Sequence, residues 1–424
     1  MKILTRILLT LCAILMVNAA QAEPVAIVNA KAVTMTEAGI VDNATIIMDG
    51  GNIVAMGSSV TVPTGAMVID AKGRMVTPAL MNSVSQLGLV EVGSADDTND
   101  TASLDSGMGA AFDIRYALNG NSVLIDIARA DGLVRAVAMP QGTMKTPFLG
   151  TASLLYLRPG VDVLDRAAVA VAVKIGGAAT RGPGHSRAAD WQLLRNALDD
   201  ARSYKASPTA YAAAPNRLDL AALEPVLDGK ALLVIDTMRE SDIRQAVAVA
   251  DAYAVRVALM GAAEAWRVAD LLAAKNIPVI LDPTLNMPAT FDELGARQDS
   301  AAILAKAGVT LAFVPNRLGQ NYNAGTSLRE GAGIAVANGL EWAQALSAIT
   351  VNPARIWGIA DRYGALEAGK AADVVIWDGD PLEVTSAPVA VLIAGKPISL
   401  ETRQTKLRDR YAPRRANGLP PVYR

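Results

Sequence analysis

Four apolar runs, ALLVI (231–235), VRVALM (255–260), IPVIL (277–281) and VTLAFV (309–314), start 24, 22 and 32 residues apart with longer amphipathic stretches between them. No other feature restricts the fold as strongly. A strand apolar on both faces must be covered on both faces, and an intervening helix is what lets the next strand run parallel. Between the runs, Ile243, Val247 and Ala250 share one helical face behind Ser241, which predicts an N-cap there. Ala265, Val268, Ala269 and Leu272 repeat the pattern, and Trp191, Leu194, Leu198 and Ala201 mark an earlier helix. MVTPALM (75–81), LVRAVAM (133–139) and AVAVAVKIG (168–176) read as further strands, so residues 75–360 accommodate about eight β/α units, the size of a closed (β/α)8 barrel.

The flanks have a different texture. VAIVNA (25–30), ATIIMD (44–49), NIVAMG (52–57) and AMVIDA (66–71) are short β-rich runs, and Asp49-Gly50-Gly51-Asn52 predicts a tight hairpin. ADVVIWDGDP (372–381) and VAVLIAG (389–395) return to that texture, which predicts a composite β-sandwich built from both chain ends. The resulting partition is 1–22 leader, 23–72 first part of the β unit, 73–362 barrel, 363–400 second part, and 401–424 an aperiodic surface tail.

The leader reading rests on Lys2 and Arg6, an apolar run over 7–17 too short to span a bilayer, and Ala20-Gln21-Ala22, the small-x-small pattern of a cleavage site. Cleavage after Ala22 predicts a periplasmic or secreted product that is not membrane-embedded. The chain is 52% hydrophobic with a net charge of −2, so it can bury a large core, and no basic stripe stands ready to track nucleic acid. It holds one Cys, Cys12, inside the leader, and one His, His185. A site of several histidines is therefore excluded, and His185 beside Ser186 is a poor candidate for a catalytic triad. The glycines at 176, 177, 182 and 184 fit neither a phosphate loop nor a dinucleotide fingerprint and read as a flexible loop over the barrel mouth.

Two stretches carry a resemblance. Gly73-Arg74-Met75-Val76-Thr77-Pro78-Ala79-Leu80-Met81-Asn82 precedes the barrel, and Val351-Asn352-Pro353-Ala354-Arg355-Ile356 is followed by Gly364-Ala365-Leu366-Glu367-Ala368-Gly369-Lys370-Ala371-Ala372-Asp373-Val374-Val375. With the order of parts, they resemble the amidohydrolase superfamily, in particular its exported imidazolonepropionase-like branch. That resemblance implies hydrolysis of non-peptide C–N bonds with a divalent metal such as zinc. It also implies a His-x-His pair ending the first strand, where this chain has Val84 and Gln86. Further histidines are implied at the ends of the fifth and sixth strands, which here read Ile235-Asp236 and Met260-Gly261. The closing strand, which in the family ends in an Asp, runs Phe313-Val314-Pro315-Asn316. A metal lowers the pKa of bound water enough to supply hydroxide at neutral pH, and it needs three or four fixed donors.

The sequence thus predicts a dismantled metal site with no cofactor. Asp236 and Asp282 are weak catalytic candidates, and Gln86, Lys174, Arg239 and Asn316 are candidate binding groups. A carboxylate and amide set of this kind also suits a hard cation such as Ca²⁺ or Mg²⁺. The bland alternative is that the two acids open loops, cap helices or pair with Arg239. The expected function is an exported amidohydrolase-type hydrolase with impaired chemistry. The alternative is a non-catalytic barrel that binds a small molecule, or an oligomer partner of its own kind or of a His-complete relative.

Overall fold

A computed structural model describes residues 23–92, 95–103, 107–141, 146–177, 186–285, 288–315 and 324–416. The leader, His185 and Asn316 lie outside the described residues. Two sheets organise the rest.

The first sheet contains β1 (Val25–Val33), β2 (Ile40–Asp49), β3 (Asn52–Gly57), β4 (Met67–Asp70) and β5 (Met75–Pro78) from the N-terminal side. The second sheet contains β6 (Leu80–Ser85), β7 (Leu133–Ala138), β8 (Phe148–Tyr156), β9 (Leu164–Lys174), β10 (Leu232–Thr237), β11 (Val257–Gly261), β12 (Val279–Leu281) and β13 (Leu311–Phe313). The chain then returns to the first sheet with β14 (Val374–Trp377), β15 (Pro388–Ile393) and β16 (Lys396–Pro397).

The two chain ends meet where β5 pairs with β14, Val374 opposite Pro78 and Ile376 opposite Val76. The strand order is β16-β15-β14-β5-β1-β2-β3, with β4 beside β1. The composite β unit therefore forms from both chain ends as one continuously paired sheet around a core of its own. The β2–β3 hairpin turns at Gly50 and Gly51, with φ of 55° and 84°, the left-handed conformation that a two-residue hairpin loop requires.

The second sheet wraps around an apolar interior in the order β6 to β13. Its inner face packs Met81, Val137, Leu154, Ala172, Val234, Ala258, Ile280 and Ala312 into one cluster, while alternate residues pack outward against the helices. Helices Arg187–Ala206, Glu240–Tyr253 and Ala324–Ala337 supply much of that cover. Trp191, Leu194, Leu198 and Ala201 are buried as their spacing predicts, as are Ile243 and Val247. Arg239, not Ser241, occupies the N-cap of the second of these helices.

Two departures from a regular (β/α)8 barrel matter. Strand β8 runs antiparallel to both β7 and β9, so the expected unbroken β/α alternation holds only from β9 onward. Strands β13 and β6 are not directly paired. A single stretch between two short helices bridges them, with Phe313 N–H donating to Ala348 O (3.0 Å) and Met81 N–H donating to Ile349 O (2.9 Å). The tail also differs from expectation, because Arg403–Ala416 is helical. Thr402 N–H donates to Thr405 Oγ1 and Thr405 N–H to Thr402 Oγ1, a reciprocal start of the capping-box type.

Candidate functional site

Parallel strands in a barrel deliver their last inward residues to one mouth, which is where barrels of this type carry chemistry. Alternation decides which residues these are. Ala170 and Ala172 face the interior on β9, Leu232 and Val234 on β10, Ala258 and Met260 on β11, Ile280 on β12, and Ala312 and Val314 on the last strand. One step beyond these, Lys174, Asp236 and Asp282 face the same way. Met260 lies opposite Asp236 in register, and Asp236 opposite Lys174. Met260 in turn lies opposite Ile280, and Ile280 opposite Ala312, so Asp282 and Val314 stand one inward step beyond the layer of Lys174, Asp236 and Met260, with Val84 packed against the same interior from β6.

Lys174 Nζ lies 3.9 Å from Asp236 Oδ2, and Asp236 is 5% exposed. Asp282 is equally buried and accepts from its own loop, from Thr284 N–H (2.9 Å) and Thr284 Oγ1 (2.5 Å), so one of its oxygens closes a local turn. Two strand spacings and a two-residue rise put Asp236 and Asp282 roughly 12 Å apart, with Met260 on the strand between them. Gln86 is half-buried just past the end of β6. Arg239 is exposed at its helix start, where its carbonyl accepts from Asp242 and Ile243 N–H. The structure thus turns Lys174, Asp236 and Asp282 to the same interior, Asp282 one step further out, and leaves Arg239 outside it. The pairing of the acids with Arg239 does not form.

Behind this layer lies a charged cluster that sequence reasoning missed. Arg187, at the first position of its helix, ion-pairs with Asp292 through a terminal guanidinium nitrogen. Its Nε stands 3.2 Å from Asp242 Oδ2 without hydrogen-bond geometry. Asp242 also accepts from Trp191 Nε1 (3.2 Å), Asp292 from Gly177 N–H (3.1 Å), and Asp190 from Gly176 N–H (3.2 Å). The glycine pair expected in a flexible loop is therefore tied to two carboxylates. These partners come from well-separated segments, and only the acids in the first turns of two helices hinted at them.

A fit test for a divalent metal follows from the donors present. Val84 and Val314 offer none, Met260 offers a soft thioether, Asp236 faces an ammonium, and one oxygen of Asp282 is spent on Thr284. Among the described residues no group of three or more His, Cys, Asp or Glu could hold an ion. Asn82 Nδ2, Ser83 Oγ and Thr237 Oγ1, all buried on β6 and β10, lack hydrogen-bond partners. These are an amide donor and two hydroxyls, which suit water or a neutral polar ligand better than a transition metal. Among the described residues, the donors at the mouth do not fit the ion.

Comparison with known proteins locates the chain. Residues 243–400 match the model of the Amidohydrolase family. Amidohydrolase tasK from Hapsidospora irregularis is 47% identical over 57 residues, which span 13% of this chain and 6% of that protein. The structure is similar to an amidohydrolase from Thermotoga maritima MSB8, with a TM-score of 0.79 and 21% identity, over 88% of this chain and 99% of that one. It is also similar to a zinc-bound adenosine deaminase from Xanthomonas campestris, with a TM-score of 0.51 and 16% identity, over 93% and 99% of the two chains. The chain thus has the amidohydrolase fold, and its residues 243–400 carry the sequence pattern of the amidohydrolase family.

Proposed function

We propose that this chain is an exported amidohydrolase-family protein, periplasmic or secreted, whose barrel has given up metal-dependent hydrolysis and serves as a binding or scaffold barrel. The observation that carries the reading is the inward-facing lining of the mouth, Val84, Lys174, Asp236, Met260, Asp282 and Val314. It places one ammonium and two occupied carboxylates among apolar groups where hydroxide generation needs several free donors. What the lining can do is hold a small polar molecule, with Lys174 turned to its acceptors. The export reading rests on the leader, and among the described residues no helix is long and apolar enough to cross a membrane.

The scaffold form of the reading predicts that the tag-free chain co-purifies with a His-complete relative encoded beside it. The isolated chain is then expected to show no turnover on a panel of small amides, with or without added zinc. A clean monomer that hydrolyses any of them contradicts the proposal. A second reading, hydrolysis by the two buried acids without a transition metal, is favoured by their facing the same barrel interior. It requires Asp236→Asn and Asp282→Asn each to abolish whatever turnover is found, and unchanged activity removes it.

A further inference from the structure

The barrel base, opposite the mouth, carries a cleft of about 400 Å³ that none of these readings uses. Its floor comes from the starts of successive strands and the end of helix Val351–Ile356, with Leu232, Val257, Ile277 and Ile356 buried beneath it. Its rim carries Arg256, Lys275 and Arg355, all exposed, and no acidic residue lines it.

The state of the cations is what points to a ligand. Lys275 is already neutralised by Asp251, at 2.8 and 2.9 Å. Arg256 reaches only two carbonyl oxygens at long range, Gly229 O at 3.5 Å and Ile356 O at 3.4 Å. Arg355 reaches only the neutral Asn352 Oδ1, at 3.1 Å. Neither guanidinium has a carboxylate partner among the described residues, in a chain whose net charge is negative. Guanidiniums favour planar, bidentate oxyanions, and here two flank an apolar floor.

We propose that this cleft binds a small organic anion, its carboxylate or phosphate gripped by Arg256 and Arg355 and its flat apolar body laid on the Leu232–Val257–Ile277 floor. The site is independent of the mouth and does not depend on whether the barrel retains catalysis.

The test is isothermal titration of the tag-free protein with phenyl phosphate, benzoate and inorganic phosphate, on wild type and on Arg256→Gln, Arg355→Gln and the double variant. One-to-one saturable binding of an aryl anion is expected, weakened about tenfold or more by each substitution, as for a lost charge-assisted hydrogen bond. Phenyl phosphate should bind more tightly than inorganic phosphate, and the preferred aryl anion distinguishes a phosphate from a carboxylate ligand. Both side chains are exposed, so the variants should melt with wild type. If Arg256→Gln fails to fold, Arg256→Lys keeps the charge, removes the fork and is expected to weaken binding as well. Failure of both aryl anions to saturate overturns the proposal, as does undiminished binding in the double variant. Inorganic phosphate binding as tightly as phenyl phosphate also overturns it, since that marks an adventitious ion only.

Discussion

Charge burial is the residue-scale theme of this molecule, and it can be measured at two sites away from the mouth. Asp131 is displaced above its ordinary value of 3.8, first by loss of solvation, with the Thr326 hydrogen bonds and the Arg329 charge recovering only part. A raised carboxyl pKa contributes stability that is whole below 3.8 and lost as pH climbs through the folded-state value. Asp131→Asn should therefore gain on wild type as pH rises through that window and match it most closely below it, as thermal melts across pH will show. Arg135 is the opposite case, a well-kept buried charge. It pairs with Asp373 and Asp165, both at 3.3 Å, and lies between the rings of Tyr156 and Tyr363 at 3.9 and 3.2 Å. Tyr156 Oη donates to Asp373 at 2.8 Å, and burial followed by the Asp373 charge pushes its phenol far up. Asp373→Asn leaves that guanidinium under-compensated and should cost about 3 to 5 kcal/mol in urea unfolding. An unchanged midpoint would refute the network. At this scale the mouth was legible where alternation along one strand sufficed, which placed Lys174, Asp236 and Asp282. The Arg187 cluster was not legible, because Asp242 and Asp292 reach that side chain from two segments distant in sequence.

Among the elements, the strands that announce themselves are those apolar on both faces. β10 to β13 fall within a residue or two of their apolar runs, because parallel burial demands such runs. β8 escapes notice because small and polar residues interrupt it, and the structure says why. A Cβ on Gly150 would stand 2.4 Å from Phe112 O, and Thr151 Oγ1 donates to Ala110 O at 2.6 Å, so the strand is shaped by close passage of a neighbouring loop. The C-terminal helix was missed because Leu407 and Tyr411, four residues apart and 41% and 48% exposed, are too thin an apolar stripe. Helix Glu240–Tyr253 makes a prediction of its own, since it ends on Ala254 in the left-handed region at φ 53°. Glycine occupies that conformation without the Cβ penalty, so Ala254→Gly should raise stability by about 0.5 to 1 kcal/mol by calorimetry. A loss of stability would mean the terminus is held by something other than its backbone geometry.

Taken whole, the molecule has the amidohydrolase fold, with an apolar barrel interior beneath a partly charged mouth. Both chain ends are joined through the β5–β14 pairing, and the barrel closes through residues 348–349, in the stretch between the short helices Trp342–Ser347 and Val351–Ile356, the second of which opens the motif that resembles the family. None of those joints involves a mouth residue, and Val84, Met260 and Val314 pack against the interior there. The central claim is that this mouth does not hold a divalent transition metal. Elemental analysis of the mature protein, purified without a histidine tag, tests it most directly. The account predicts zinc, manganese and iron each far below one atom per chain, and a near-stoichiometric content of any of them would contradict it.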